Sequence, residues 1–199
     1  LKCGLCAGKL ECASRVVLRG VDEVTCKLAG FQRVCASQAS TRSETVLCGV
    51  LPDLLDACHA LDIDSLRMQN PLAVHCPVTQ SLNSKLRSLL RMKTSGPGDI
   101  HLWFSGGATP KPWKDELVAG VIADGITSFL DCPRLVDQAY DSGARIFLEL
   151  GARNTCTRRI TSILGNRPHL AIGVDQRGLS AMNSYAMLVA ACLAHKVPF

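Results

Sequence analysis

The residue best suited to chemistry in this chain is His75, at the end of the apolar run Pro71-Leu-Ala-Val-His-Cys-Pro77. A histidine where a strand leaves its sheet is held by backbone and open at one edge. Its near-neutral imidazole can take a proton from a hydroxyl and return it to a leaving group, the work of a general base. The same pattern also fits a half-buried histidine hydrogen-bonded at a strand end. The chain contains no Gly-x-Ser-x-Gly, the strand-to-helix turn that exposes a reactive serine. It therefore carries a base without that nucleophile. Cys76 and Cys156 are the alternative thiols. Cys156, at an expected helix start beside Arg158 and Arg159, is the better placed of the two for a depressed pKa, but core packing at a helix start is the reading preferred for it. His59, His101, His169 and His195 have no ligand spacing among them and read as structural. Cys3-Gly-Leu-Cys6 with Cys12 is the one metal-like spacing; it has no second pair and no nearby His, so no metal is expected.

The elements around these residues follow from periodicity. Glu11 to Ala29 reads as a helix, with Val16, Val17, Val21 and Val24 mostly on one side. Phe31–Ser37 and Thr45–Gly49 read as short strands joined by a polar stretch, and Pro52 opens a helix through Cys58. A strand is expected through Leu72–His75, a helix over Leu82–Leu90 and a strand over Ile100–Phe104. Past a turn-rich boundary at Gly106–Pro112, helices are predicted at Lys114–Ala123 and Pro133–Ser142. Strand Arg145–Leu150, helix Asn154–Leu164, strand His169–Val174 and helix Ala181–His195 follow. Alternating strands and helices imply α/β class with a parallel sheet. The expected division is 1–29 as a remnant of a large α/β lobe, 30–105 as a small lobe and 106–199 as the rest of the large lobe.

Bulk properties narrow the function classes. With 199 residues, 47% hydrophobic and 20% charged, the chain is long enough for one sizeable core and is not disordered. The net charge of +5 is mild and dispersed and aromatics are only 5%, so nucleic-acid binding is not expected; acidic partners are. No apolar run approaches the ~20 residues that span a bilayer. Eleven cysteines, an odd number set mostly in apolar runs, read as buried thiols of a reducing compartment, the cytoplasm. The opening on Leu1, without initiator Met or signal pattern, reads as an excised piece.

Leu72-Ala-Val-His-Cys-Pro77 is similar to the histidine motif of malonyl-CoA:carrier-protein transacylases and polyketide acyltransferases. Phe31–Ser37 with Glu44–Gly49 resembles the opening strands of that family's ferredoxin-like small lobe. Asp131–Val136 through Gly151 resembles its late helix and its strand ending in Glu-x-Gly. The tail, Ile163–Ile172 and Leu193–Pro198, is similar to one branch in particular, the acyltransferases of polyunsaturated fatty acid and heterocyst glycolipid synthases. The resemblance runs over nearly the whole chain and rests on the order of the motifs.

The resemblance implies a partial α/β-hydrolase-like parallel-sheet lobe with an inserted ferredoxin-like small lobe. It implies His75 as catalytic base and an arginine on an opening helix as clamp for a substrate carboxylate, a task suited to a planar fork of donors. Arg19, in Val16-Val-Leu-Arg-Gly20, matches that position with one residue too few, and Arg15 is the alternative. Val74 stands where the family distinguishes malonyl from methylmalonyl units and matches neither usual choice. Gly125 replaces the family's Asn or Gln that orients the histidine. The implied reaction moves a malonyl-type group from coenzyme A to an acyl carrier protein, with neighbouring synthase domains as partners. No resident cofactor is implied: coenzyme A arrives as the substrate thioester, and phosphopantetheine belongs to the carrier protein. A transferase lacking its serine would be inactive, and a non-catalytic docking module derived from one is the alternative.

Overall fold

The structure is a computed structural model that describes residues 11–62, 64–68, 74–95, 98, 100, 102–104 and 114–197. The chain divides into two compact units, residues 1–135 and 136–199.

In the first unit β1 (Cys12–Val17), α1 (Val21–Lys27), β2 (Val34–Thr41), β3 (Glu44–Val50), α2 (Leu51–Ala60) and β4 (Ser65–Arg67) follow one another. The sheet runs β4-β1-β3-β2-β5, where β5 (Leu130–Asp131) is added in parallel to the edge of β2. The four earlier strands are antiparallel in the order β4-β1-β3-β2. With two helices spliced in after β1 and β3, this is the βαββαβ ferredoxin-like unit. Val24 and Leu28 from α1 and its following turn, and Leu54, Ala57 and Cys58 from α2, pack on Ala13, Val17, Val34 and Leu47 of the strands. α3 (Asn83–Leu89) and α4 (Asp115–Thr127) complete the unit, and α5 (Cys132–Asp141) begins at its end.

The predicted helix over Glu11–Ala29 is corrected. Its first third is β1, and a helix starts only at Val21. The valines that suggest a helical face are β-branched and suit a pleated surface equally. β1 finds partners along its full length, from Cys12 opposite Val50 to Val17 opposite Thr45. That ladder crosses the expected division between residues 29 and 30. The polar stretch expected to separate two short strands is mostly strand itself, and only Arg42 and Ser43 form the turn. β4 and β5 have no counterpart among the expected elements, because strands of three and two residues carry too little pattern to show. Of the strand predicted over Leu72–His75, residues 72 and 73 lie outside the described residues, and Val74 and His75 are not in a strand.

In the second unit β6 (Ile146–Glu149), α6 (Thr155–Leu164) and β7 (Leu170–Gly173) make a βαβ unit whose strands pair in parallel, Ile146 opposite Leu170. α7 (Ala181–Ala194) follows, its first turn capped by the Ser180 hydroxyl, which accepts from the Asn183 N–H at 3.2 Å. The Glu149 carboxylate caps α6: it accepts from the N–H groups of Cys156 (3.0 Å) and Thr157 (2.6 Å) and from the Thr157 hydroxyl (2.8 Å). The guanidinium groups of Arg145 and Arg167 both lie over the Tyr140 ring, 3.8 and 4.8 Å from its centre. These elements lie within about two residues of their predicted limits. The molecule is α/β, with a parallel-containing five-stranded sheet and a small two-stranded parallel sheet.

Candidate active site

His75 lies between β4 and the 3-10 turn Pro77–Leu82, with its backbone in the left-handed region at φ +59°. A non-glycine residue there is strained and persists only when its surroundings hold it. Its N–H donates to the carbonyl of Ile126 in the last turn of α4 at 2.8 Å. On the other side Cys76 is 1% exposed, and Thr79 donates to the Cys76 carbonyl through both its N–H (3.1 Å) and its hydroxyl (2.8 Å). The imidazole is thus anchored through backbone on both flanks.

The end of α4 is itself braced. The Asn83 amide donates to the Asp124 carboxylate (2.9 Å) and to the Thr127 hydroxyl (2.8 Å), and Thr127 donates on to the Ala123 carbonyl (2.9 Å). One terminal guanidinium nitrogen of Arg87 reaches both oxygens of Asp124, at 2.8 and 3.0 Å, and Arg87 Nε donates to the side-chain amide oxygen of Asn83 at 2.7 Å. The Arg87 guanidinium lies over Gly120, where a Cβ would fall 2.6 Å from one of its nitrogens, so a side chain there would displace the end of Arg87.

His75 lines a cavity of about 690 Å³ together with Leu28, Val34, Cys35, Gln80, Thr127 and Phe129 among others. The lining is predominantly apolar, with a few polar residues, Thr25, Gln80, Thr127 and Ser128, among it, the usual make-up of a small-molecule site. The Nδ1 atom of His75 is buried and has no hydrogen-bond partner among the described residues. An oriented base has its distal nitrogen held by an acceptor. Here α4 offers a backbone carbonyl to the His75 N–H instead, and Gly125, one residue earlier, has no side chain to reach the ring.

The structure does not bring the two arginine candidates into this cavity. Arg19 lies in the exposed turn after β1, where it pairs with Glu23 at 3.4 Å and donates to the Leu18 carbonyl at 3.2 Å. Its expected place on an opening helix goes with the correction of that helix to β1. Arg15 staples β1 to β4 through bonds of 2.6 and 2.7 Å to the hydroxyl and carbonyl of Ser65. Neither is among the described lining residues, which include no lysine or arginine. Val74 is half-buried beside His75.

The thiols are also ordered differently from expectation. Burial raises the Cys156 thiol, the Glu149 carboxylate adds to the rise, and Arg159 offsets it only in part. Cys76 is the thiol held well below the usual range, chiefly by the neighbouring Cys35 and then Cys48 side chains, while the Cys35 thiol itself donates to the Cys48 carbonyl at 3.7 Å. Sequence spacing misses this trio, since Cys35 and Cys48 meet only through the β2–β3 ladder, where they face each other. Eight of the described cysteines are present as thiols; Cys12 is disulfide-bonded, so the reading of all the cysteines as thiols is corrected at that residue. Cys3 and Cys6 lie outside the described residues. No helix among the described residues is long and apolar enough to cross a membrane.

No protein-family model matches the chain. It is 24% identical over 159 residues to a polyunsaturated fatty acid synthase subunit of Thraustochytrium sp., a match covering 72% of this chain and 8% of that one. Among solved structures, the acyltransferase domain from module 8 of the salinomycin polyketide synthase superimposes with a TM-score of 0.81 at 16% identity, covering 98% of this chain and 47% of that chain. A malonyl-transacylase, solved in complex with its type II polyketide-synthase acyl-carrier protein, superimposes with a TM-score of 0.79 at 13% identity, covering 93% and 60%. The chain thus spans about half the length of the solved proteins it matches and a small part of the synthase polypeptide. Over more than nine-tenths of its length it has the fold of acyltransferase domains of the malonyl-transacylase and polyketide-synthase type.

Proposed function

We propose that this chain is the base-bearing part of an acyltransferase that moves a malonyl-type acyl group from coenzyme A to an acyl carrier protein in fatty acid or polyketide synthesis. The observation that carries the reading is His75, anchored on both flanks at the wall of an apolar cavity, in a fold shared with such enzymes. In this account a serine from outside these 199 residues attacks the acyl thioester, and His75 accepts its proton. The imidazolium then protonates the departing thiolate of coenzyme A. In the second half-reaction His75 takes the proton of the carrier-protein thiol as that sulfur attacks the acyl-serine, and returns it to the departing serine oxygen. No resident cofactor is needed. The apolar cavity receives the acyl portion, and the dispersed positive charge favours an acidic carrier protein.

The test is acyl transfer by the full-length protein. Replacement of His75 by Ala is expected to lower kcat by about 10²- to 10⁴-fold. An unchanged rate would refute the assignment. The chain by itself, lacking the Gly-x-Ser-x-Gly turn, is expected to show no turnover above its own His75→Ala control.

One observation favours a second reading. The unpartnered Nδ1 and the side-chain-less Gly125 suit a domain kept for docking a carrier protein or neighbouring synthase domains, with catalysis relaxed. Under that reading the full-length protein binds carrier protein with unaltered affinity after His75→Ala and transfers nothing before it.

A further inference from the structure

The cavity beside His75 is larger and less polar than a malonyl-type group requires. Its volume is about 690 Å³, within the ~300–1,000 Å³ of sites that enclose drug-sized ligands. A malonyl group has only three carbons and ends in a carboxylate. The cavity is lined by Val21 and Leu28 of α1 and its following turn, Val34 and Ala36 of β2, Pro77 just past His75, and Phe129 after α4. No lysine, arginine, aspartate or glutamate is among the described lining residues. A carboxylate taken from water into such a lining loses its hydration and gains no cation in return. An alkyl chain gains there, since each methylene removed from water raises affinity by up to about four-fold.

We infer that this cavity is a binding site for an uncharged aliphatic acyl chain of roughly eight to twelve carbons, a size set by volume at the ~30 Å³ of a water-sized group. The chain is presented as a thioester, with its carbonyl end toward His75. At that volume a chain of about twelve carbons fills roughly half of the cavity and leaves room for the thioester. The site goes beyond the malonyl-type reading in the chain it adds, and rests on that reading only for the thioester end.

The elements around the cavity contribute differently to its lining. The segment carrying His75 and the end of α4 bring the imidazole, the Gln80 amide and the Ser128 hydroxyl, groups that can meet a thioester carbonyl. α1, the turn after it and β2 bring mainly aliphatic carbon. Leu28 and Val34 on that side are each 7% exposed and belong to the packed cluster beneath α1 and α2. The aliphatic part of the lining is therefore held in place by the core before any ligand arrives. A preformed surface of this kind spends little of the binding free energy on ordering its own side chains.

The test is isothermal titration calorimetry of the full-length protein with two non-hydrolysable thioethers, S-ethyl-coenzyme A and S-decyl-coenzyme A. The decyl compound is expected to bind at least about 100-fold tighter, the yield of its extra methylenes at about half burial. Its heat-capacity change should be the more negative of the two, the mark of apolar burial. Ala29→Trp puts an indole at an exposed lining position and should weaken the decyl compound at least about ten-fold while leaving the ethyl compound alone. Phe129→Ala, at another exposed lining position, should weaken it about three-fold or more. Equal affinity for the two thioethers would overturn the inference, as happens if the rest of the polypeptide fills the cavity. So would tight decyl binding that neither substitution weakens, because the chain would then lie on another apolar surface. The two readings fail separately. Equal affinities together with His75-dependent malonyl transfer would remove this site alone. Chain-length-dependent binding together with a transfer rate indifferent to His75→Ala would remove the transfer reading alone.

Discussion

His75 shows how a single side chain can be placed by bonds it does not itself make. Its position depends on its own N–H, on Ile126 and on the turn fixed by Thr79. Asn83 is therefore worth more than a surface amide, because it ties the last turn of α4 to α3. Asn83→Ala is expected to destabilise the fold by about 1–3 kcal/mol, the cost of leaving partly buried partners unsatisfied; a denaturant midpoint unchanged with equal m-value would contradict this. Glu149 gives a pH prediction. Burial opposes its ionisation, but the N–H groups of Thr157 and Cys156 and the Thr157 hydroxyl outweigh burial, and its pKa is lowered. A carboxyl lowered on folding contributes stability in full above its unfolded pKa of about 4.3 and loses it as pH falls through the folded value. In Glu149→Gln, measured by thermal melts from pH 7 to pH 3, the difference from the parent protein should be greatest at pH 7 and shrink on acidification. A difference that grows toward pH 3 would have the wrong sign.

At the scale of elements, the ferredoxin-like sheet carries most of the buried apolar surface. Leu54 of α2 and Leu47 of β3 are fully buried in one cluster with Val17 and Val24. Leu54→Ala should cost about 2–5 kcal/mol from lost transfer energy and the cavity left behind. Gly49 belongs to the same sheet. A Cβ there would sit 2.4 Å from the Arg33 carbonyl oxygen, at the point where β3 passes the start of β2. Gly49→Ala must push backbone apart and is expected to lose about 1–3 kcal/mol, as overpacked sites do. Differential scanning calorimetry of both variants checks the pair, and a melting temperature within a degree of the parent's for either would refute the corresponding contact.

At the scale of the molecule, the fold is that of an acyltransferase domain, and the proposed chemistry needs a nucleophile that these residues do not supply. Exposed large apolar residues occur in both units; in the second they include Leu148, Leu150, Met182, Tyr185, Met187 and Leu193, on or beside β6 and on α7. That unit's sheet has only two strands among the described residues, which is little cover for so many apolar side chains. Expressed alone, the chain is expected to associate in sedimentation experiments; a single monomeric species across a hundred-fold concentration range would count against this.

What can be read in the sequence is whatever local pattern dictates. The helices from Leu51 onward and the β6-α6-β7 alternation have expected limits within a few residues of the observed ones, because each has a clear period and a clear stop. His75 stands out as a candidate through the resemblance of Leu72–Pro77 to a known histidine motif, since the pattern alone fits a half-buried histidine as well. The nature of Cys12–Val17 is not visible, since valine spacing there suits a helix face and a pleat equally, and only the partner strand β3 decides between them. Arg19, expected on that helix, lies instead in the turn after β1 and pairs with Glu23. The thiol trio and the unheld Nδ1 are properties of three-dimensional neighbours: residues 35, 48 and 76 meet, and residues 75 and 126 share a hydrogen bond, only after the sheet has closed. Periodicity records which face of an element is buried; which faces meet is decided by long-range pairing, which no local window of sequence contains.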